Sequence, residues 1–253
     1  CRKCPSMRTD TIVICFVRLP VPGQVKTRLA KGVGPQAACD FYAACAAYVL
    51  HACASCPGIK LVVHHSSADA TTDVAAWLAT LGLQGVELQP QSEGDLGDKL
   101  AHALHSALQQ PGIRKALVVG SDIPGITPAV LSAAAAALNT HEAVLGPAAD
   151  GGYYLLGLTR PAPSLFTDVP WSTEDVLART LSHAAAAGLN VAPTPSLPTL
   201  QDIDTLQDLR AWRASASASL GDQAGQGEGT SQAAAGPGSG QVLGGEQQQG
   251  AAQ

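Results

Sequence analysis

The chain has 253 residues, of which 46% are hydrophobic and 14% charged, and a formal net charge of −5. Its Lys and Arg residues are dispersed, with no basic block to neutralise a run of phosphates, which disfavours a nucleic-acid partner. No apolar stretch approaches the length of a membrane span, "SAAAAAL" at 132–138 being too short, so a soluble protein with no membrane partner is expected.

Residues 1–10 read as an N-terminal extension, and "TIVICFV" at 11–17 as a first buried strand. "PVPGQVKTRL" at 20–29 follows one arginine later. Pro20, Pro22 and Gly23 shape a sharp exit, after which Lys26, Thr27 and Arg28 are placed to meet phosphate oxygens, Arg as a fork and Lys as a point charge. No Walker loop and no G-x-G-x-x-G is present, and a proline-rich turn with two solvated cations is the plainer alternative.

A helix is expected over 34–55, a strand over 60–66, a helix over 72–82 stopped by Gly82, and a short strand over 86–91. Cys39, Cys45 and Cys53 in the first of these helices, and Cys56 just past its end, suit small buried hydrophobes. The C-x-x-C pairs Cys1/Cys4 and Cys53/Cys56 lack a second half at zinc spacing. Seven cysteines, an odd number, with no signal peptide point to a reducing compartment, cytoplasmic or organellar; the chain starts on Cys, so targeting is unreadable.

In "QSEGDLGDKL" (91–100), the Gln91 amide suits a base edge, while Gly94 and Gly97 permit close backbone approach to a ligand. The alternative is a solvated loop in which Asp95 caps the next helix, expected over 96–110 with Leu96, Leu100, Leu104 and Leu108 on one face. "KALVVGSD" (115–122) is the clearest strand, and Asp122 at its tip suits Mg²⁺ or Mn²⁺ shared with phosphate oxygens. Thr127-Pro128 opens another helix as N-cap and first helical position.

"EAVLGPA" and "YYLLGL" supply two more strands, with Asp150-Gly151-Gly152 as the turn between them and one of Tyr153 and Tyr154 facing the site. In "PWST", Trp171 either stacks on a substrate ring or joins the core, and Ser172 is the expected N-cap of a helix. "QDIDTLQDL" (201–209) contains D-x-D; Asp204-Thr205 also reads as a helix start and Asp208 as a surface residue. His64, His65, His102, His105, His141 and His183 are expected on strand and helix surfaces, without metal spacing. From Ala214 onward the text is small and polar, which predicts a disordered tail over 214–253 and one folded domain over 11–213. Strands alternating with helices predict an α/β fold with a mainly parallel sheet covered on both faces, and ligands beyond the strands' carboxyl ends.

Taken in order, "PVPGQVKTRL", "QSEGDLGDKL", "GSDIPG", "DGGYYLLG", "PWST" and "QDIDT" resemble the radical-SAM/selenodomain-associated transferases, also called arsenosugar-biosynthesis-type glycosyltransferases. That family resembles the GT-A nucleotide-diphosphosugar transferases, and more closely the 2-phospholactate guanylyltransferases and molybdenum-cofactor nucleotidyltransferases. The resemblance implies a GT-A, Rossmann-like three-layer sandwich. It implies nucleotide binding by Pro22, Gly23, Lys26, Thr27 and Arg28, and by Gln91, Gly94, Asp95, Leu96 and Gly97. It implies Asp122 and Asp204 as carboxylates for Mg²⁺ or Mn²⁺, and Asp150-Gly151-Gly152 lining the acceptor or nucleotide site; Gly151, Gly152, Tyr153, Trp171, Ser172 and Thr173 are the expected acceptor contacts. The family tends to have Arg where Lys99 stands, which keeps the charge and loses the fork.

Three functions follow as expectations. The first is a metal-dependent glycosyltransferase using a nucleotide sugar, with Lys26 and Arg28 on the diphosphate and Asp150, or Asp175 behind it, deprotonating a small acceptor's hydroxyl. The second is a nucleotidylyltransferase taking a nucleoside triphosphate and releasing pyrophosphate. The third is a catalytically idle nucleotide-binding protein.

Overall fold

The structure, a computed structural model, describes residues 9–66 and 70–214. The Cys1/Cys4 pair and the expected disordered tail past Ala214 lie outside the described residues.

The strands are β1 (Thr11–Val17), β2 (Ile59–His65), β3 (Glu87–Pro90), β4 (Lys115–Gly120), β5 (Ala143–Pro147) and β6 (Tyr153–Leu158). They form one six-stranded sheet in the order β3-β2-β1-β4-β6-β5. β1 pairs in parallel with β2 and β4, and β2 with β3; β6 runs antiparallel to β4 and β5. The helices are α1 (Thr27–Val33), α2 (Pro35–Ala54), α3 (Thr71–Thr80), α4 (Leu96–Leu108), α5 (Pro128–Ala137) and α6 (Val176–Ala186), with residues 206–214 as α7.

The sheet separates two apolar layers because successive side chains of a strand point to opposite faces. From β1, Val13, Cys15 and Val17 join a cluster with residues of α2, α3 and α5, while Ile12 and Ile14 join one with residues of α4 and α6. This is the predicted three-layer α/β sandwich. By length and mean hydropathy, 1.3, α2 does match a membrane-spanning segment, unlike the expectation from sequence; half of it is buried, as in a core helix. Cys39, Cys45, Cys53 and Cys56 are buried free thiols, in keeping with their reading as small hydrophobes, and Cys15 of β1 is a fifth buried thiol among the described residues. Thr127 caps α5 through the Val130 N–H, as predicted.

Three expectations are corrected. His64 and His65 are buried in β2 rather than on a surface, and His64 stacks on Phe16. Burial, with the neighbouring His102, lowers the His64 pKa to about 4. Ser172 is not an N-cap: it has φ 66° in a turn, and α6 starts after Asp175. Asp208 is more than a surface residue, since its carboxylate accepts from the N–H groups of Asp204 and Thr205 and from the Thr205 hydroxyl, closing the start of α7.

Candidate active site

The first crossover carries the phosphate-type cations to the rim of the sheet. After β1 the chain turns at 21–24, with Gly23 at φ 81° and the Gln24 N–H donating to Val21 O. Lys26 then adopts the left-handed conformation, φ 46° and ψ 47°, just ahead of α1. A non-glycine residue there is strained and needs compensation from its surroundings. The compensation is visible at the side chain, which is only 4% exposed: Nζ lies 2.9 Å from Asp122 Oδ2 and 2.7 Å from Asp204 Oδ1. Arg28, largely exposed, approaches Asp204 Oδ2 at 3.6 Å.

Two packing features deliver Asp204 from far along the chain. Leu200 makes a parallel bridge with Ala148 beyond the end of β5, and its side chain rests against Gly125, where a Cβ would lie 2.7 Å from Leu200 Cδ2. Ile203, fully buried, packs with Leu29 of α1 and Ala38 of α2. Asp202 and Asp204 flank that anchor. Burial, then the charges of Asp204 and Asp150, push the Asp202 pKa up to about 6. At Lys26 burial works against the charge, but Asp122 and Asp204 outweigh it and its pKa stands above the ordinary lysine value.

Two cavities open at this rim. The first, about 440 Å³, is lined by Phe16, Leu96, Leu100 and Tyr153 with the polar side chains of Gln91 and Lys99, and by the tips of β1 and β4. The second, about 370 Å³, is lined by Lys26, Thr27, Arg28 and Asp204. Arg18, Tyr42 and Asp122 line both. The Tyr42 hydroxyl accepts from the Arg18 N–H at 2.8 Å, donates to Arg18 O at 3.2 Å, and lies 2.9 Å from Ser121 Oγ. It therefore ties the tip of β1 to the residue before Asp122, and burial raises its pKa to about 12.

Lys26, Thr27, Arg28, Gln91, Leu96, Asp122, Asp204 and Tyr153 thus come together around the two cavities. Other anticipated residues line neither: Pro22 and Gly23 form the turn, and Asp95 caps α4 in a reciprocal pair with Asp98. Asp98 also fills the space over Gly94. Gly97 faces the protein interior, where a Cβ would lie 3.0 Å from Phe166 Cβ and 3.1 Å from the Trp171 ring. Trp171 packs there with its indole N–H buried and, among the described residues, without a hydrogen-bond partner. Thr173 is bonded within its turn to Pro170 O, and one oxygen of Asp150 accepts from the Gly152 N–H at 2.9 Å. Gly151, at φ 87°, lies against the backbone of Glu174. Sequence reasoning missed Arg18, Tyr42 and Ser121 at the site. Arg18 had a signal, as the only cation directly after β1; the Tyr42–Ser121 contact spans 79 positions and had none.

The donor set fits a hard divalent cation. Two carboxylates from separate segments, each more than a third exposed, already hold one cation between them, the Lys26 ammonium. Among the described residues no three His, Cys, Asp or Glu side chains gather for a metal, so phosphate oxygens and water would complete the sphere, a habit of Mg²⁺.

No curated protein matches this chain. A protein from Desulfovibrio desulfuricans G20, proposed to be a nucleotide-diphospho-sugar transferase, is 31% identical, with a TM-score of 0.72 over 79% of this chain and 85% of its own. 4-Diphosphocytidyl-2C-methyl-D-erythritol synthase from Anaerococcus prevotii shares the fold alone, at 8% identity and a TM-score of 0.52 over 84% of this chain and all of its own. The family model DUF2064, "Uncharacterized protein conserved in bacteria", matches residues 49–173, from late α2 to the turn before α6. With that match and a 31%-identical relative sharing most of its length, the chain belongs to the DUF2064 family, on the fold of nucleotide-dependent transferases.

Proposed function

We propose that residues 11–213 form a transferase that takes a nucleotide-activated donor, and that the group moved is a sugar. The observation that carries this reading is the convergence of Lys26, Asp122 and Asp204 beside a cavity large enough for a nucleoside. Asp122 and Asp204 would hold Mg²⁺ or Mn²⁺, and that ion, when bound, supplies positive charge against the donor's phosphates. Lys26 and Arg28 bind the phosphates and stabilise the charge that builds on the departing diphosphate. Gln91 and Leu96 border the base and ribose. Asp150, whose second oxygen is not engaged by Gly152, takes the proton of the acceptor hydroxyl, and Tyr153 borders the acceptor. The six motifs in order support the finer placement among the radical-SAM/selenodomain-associated transferases. The description of the 31%-identical relative supports a nucleotide sugar as donor.

A second reading is nucleotidyl transfer with release of pyrophosphate. It is favoured by one observation: Arg18, Lys26 and Arg28 all line the smaller cavity, which suits the higher charge of a triphosphate. Incubation with Mg²⁺ or Mn²⁺ and either nucleotide sugars or nucleoside triphosphates separates the two. Free nucleoside diphosphate is expected; pyrophosphate reverses the order. Asp122→Asn is expected to lose turnover and metal-dependent nucleotide binding while Tm moves by no more than a few degrees. Unchanged turnover in that variant removes Asp122 from the site.

A further inference from the structure

The two cavities meet at a waist formed by Arg18, Tyr42 and Asp122. Apart from the residues they share, the larger offers apolar walls with the polar side chains of Gln91, Lys99 and Ser121, which suit a base and ribose; the smaller offers Lys26 and Arg28 beside Asp204, cations that suit phosphates. A nucleotide filling both must place the group that joins these parts, its 5′-phosphate, at the waist. Lys26 and Arg28 already face Asp204, whereas Arg18 makes no ion pair among the described residues. An unpaired guanidinium at the mouth of a cleft is a ready partner for a phosphate, which it meets as a fork.

Arg18 is also unusually well held at its backbone. The buried Tyr42 hydroxyl bonds both its N–H and its C=O, and Ser121, just past the end of β4 and next to Asp122, fixes that hydroxyl. The side chain thus leaves from a peptide whose position is set relative to the carboxylate across the waist.

We propose that Arg18 binds the ribose-linked phosphate of the donor and that Tyr42 is its positioning residue. This rests on the nucleotide-donor reading above, and it divides the phosphate contacts between Arg18 for the first phosphate and Lys26 and Arg28 for those beyond it.

A ladder of ligands tests the division. Nucleoside, 5′-monophosphate and 5′-diphosphate of each of the four bases are titrated calorimetrically, with Mg²⁺, into the full chain and its variants. Arg18→Gln is expected to weaken monophosphate and diphosphate binding by about tenfold each and to leave the nucleoside unchanged, with partial recovery in Arg18→Lys. Arg28→Gln is expected to weaken only the diphosphate. Tyr42→Phe is expected to repeat the Arg18 pattern at smaller size. Equal loss for nucleoside and monophosphate in Tyr42→Phe overturns its positioning role, because a structural defect does not distinguish the two ligands. Wild-type binding that Arg18→Gln leaves intact overturns the Arg18 assignment alone. No binding of any nucleoside phosphate by the wild type overturns the donor reading with it.

Discussion

Lys26 is the residue on which the site turns, because its backbone, burial and charge each cost free energy. Its left-handed φ of 46° and an almost fully buried ammonium are both unfavourable unless offset, and the offset comes from Asp122 and Asp204 at hydrogen-bond distance. Removing the ammonium leaves two carboxylates facing each other without a counter-charge. Because both are more than a third exposed, water relieves part of that repulsion. Lys26→Met is therefore expected to lose roughly 1–2 kcal/mol, less than a fully buried pair would. Mn²⁺ should restore Tm in this variant more than it raises Tm in the wild type, since the ion takes the place of the lost cation. Thermal melts with and without Mn²⁺ read this directly, and an equal response of the two proteins would dissociate the carboxylate pair from cation binding.

At the scale of elements, the rim is assembled by close backbone approaches more than by loops reaching out. Gly151 illustrates this. It sits in the turn between β5 and β6, the Leu177 N–H donates to its carbonyl at 3.0 Å, and a Cβ on it would lie 2.6 Å from the Glu174 Cα. Its φ of 87° is itself unfavourable for any other residue. Gly151→Ala is expected to cost about 2–3 kcal/mol in chemical denaturation, by strain and overlap together. Gly152→Ala should be milder, since its nearest neighbour is the movable Asp150 carboxylate at 3.1 Å. A neutral Gly151→Ala would show that the turn and the segment ahead of α6 are not tightly docked.

For the whole molecule, the buried His64 couples folding to pH. His65, the His102 side of α4 and Glu87 of β3 act on it, and Glu87 alone favours its charged form. Its pKa is about 4 in the folded protein against an ordinary 6.5. Between those values the unfolded chain takes up a proton that the folded chain refuses. The contribution of neutral His64 is complete above pH 6.5 and is lost as pH falls towards 4. The loss amounts to roughly 2–3 kcal/mol. Asp202, raised to about 6, acts in the opposite sense, favouring the folded state at low pH and losing that contribution as pH rises through 6. The difference between wild type and His64→Phe isolates the histidine, because phenylalanine keeps an apolar ring beside Phe16 and does not titrate. Denaturation from pH 7 to 4 should show the gap between the two proteins shift in favour of the variant; a constant gap refutes the assignment.

The elements of this protein were legible in the sequence because their signals are local. "TIVICFV" and "KALVVG" could satisfy their apolar content only as buried strands, Thr127-Pro128 marked a helix start, and the cations of "VKTRL" and the carboxylate of Asp122 fell at strand ends where α/β sheets bind ligands. Local signals also misled: the proline-rich exit concealed the short helix α1 and Ser172 resembled a cap, while the room that Gly97 leaves for Phe166 and Trp171 had no local signal. Tertiary structure alone decided which charges meet. Lys26 and Asp204 stand 178 positions apart, and only the parallel bridge at Leu200 and the burial of Ile203 bring them together. The reason is physical: strand and helix patterns are written within a few residues, whereas an ion pair between distant segments at the rim of a sheet depends on how the intervening elements pack.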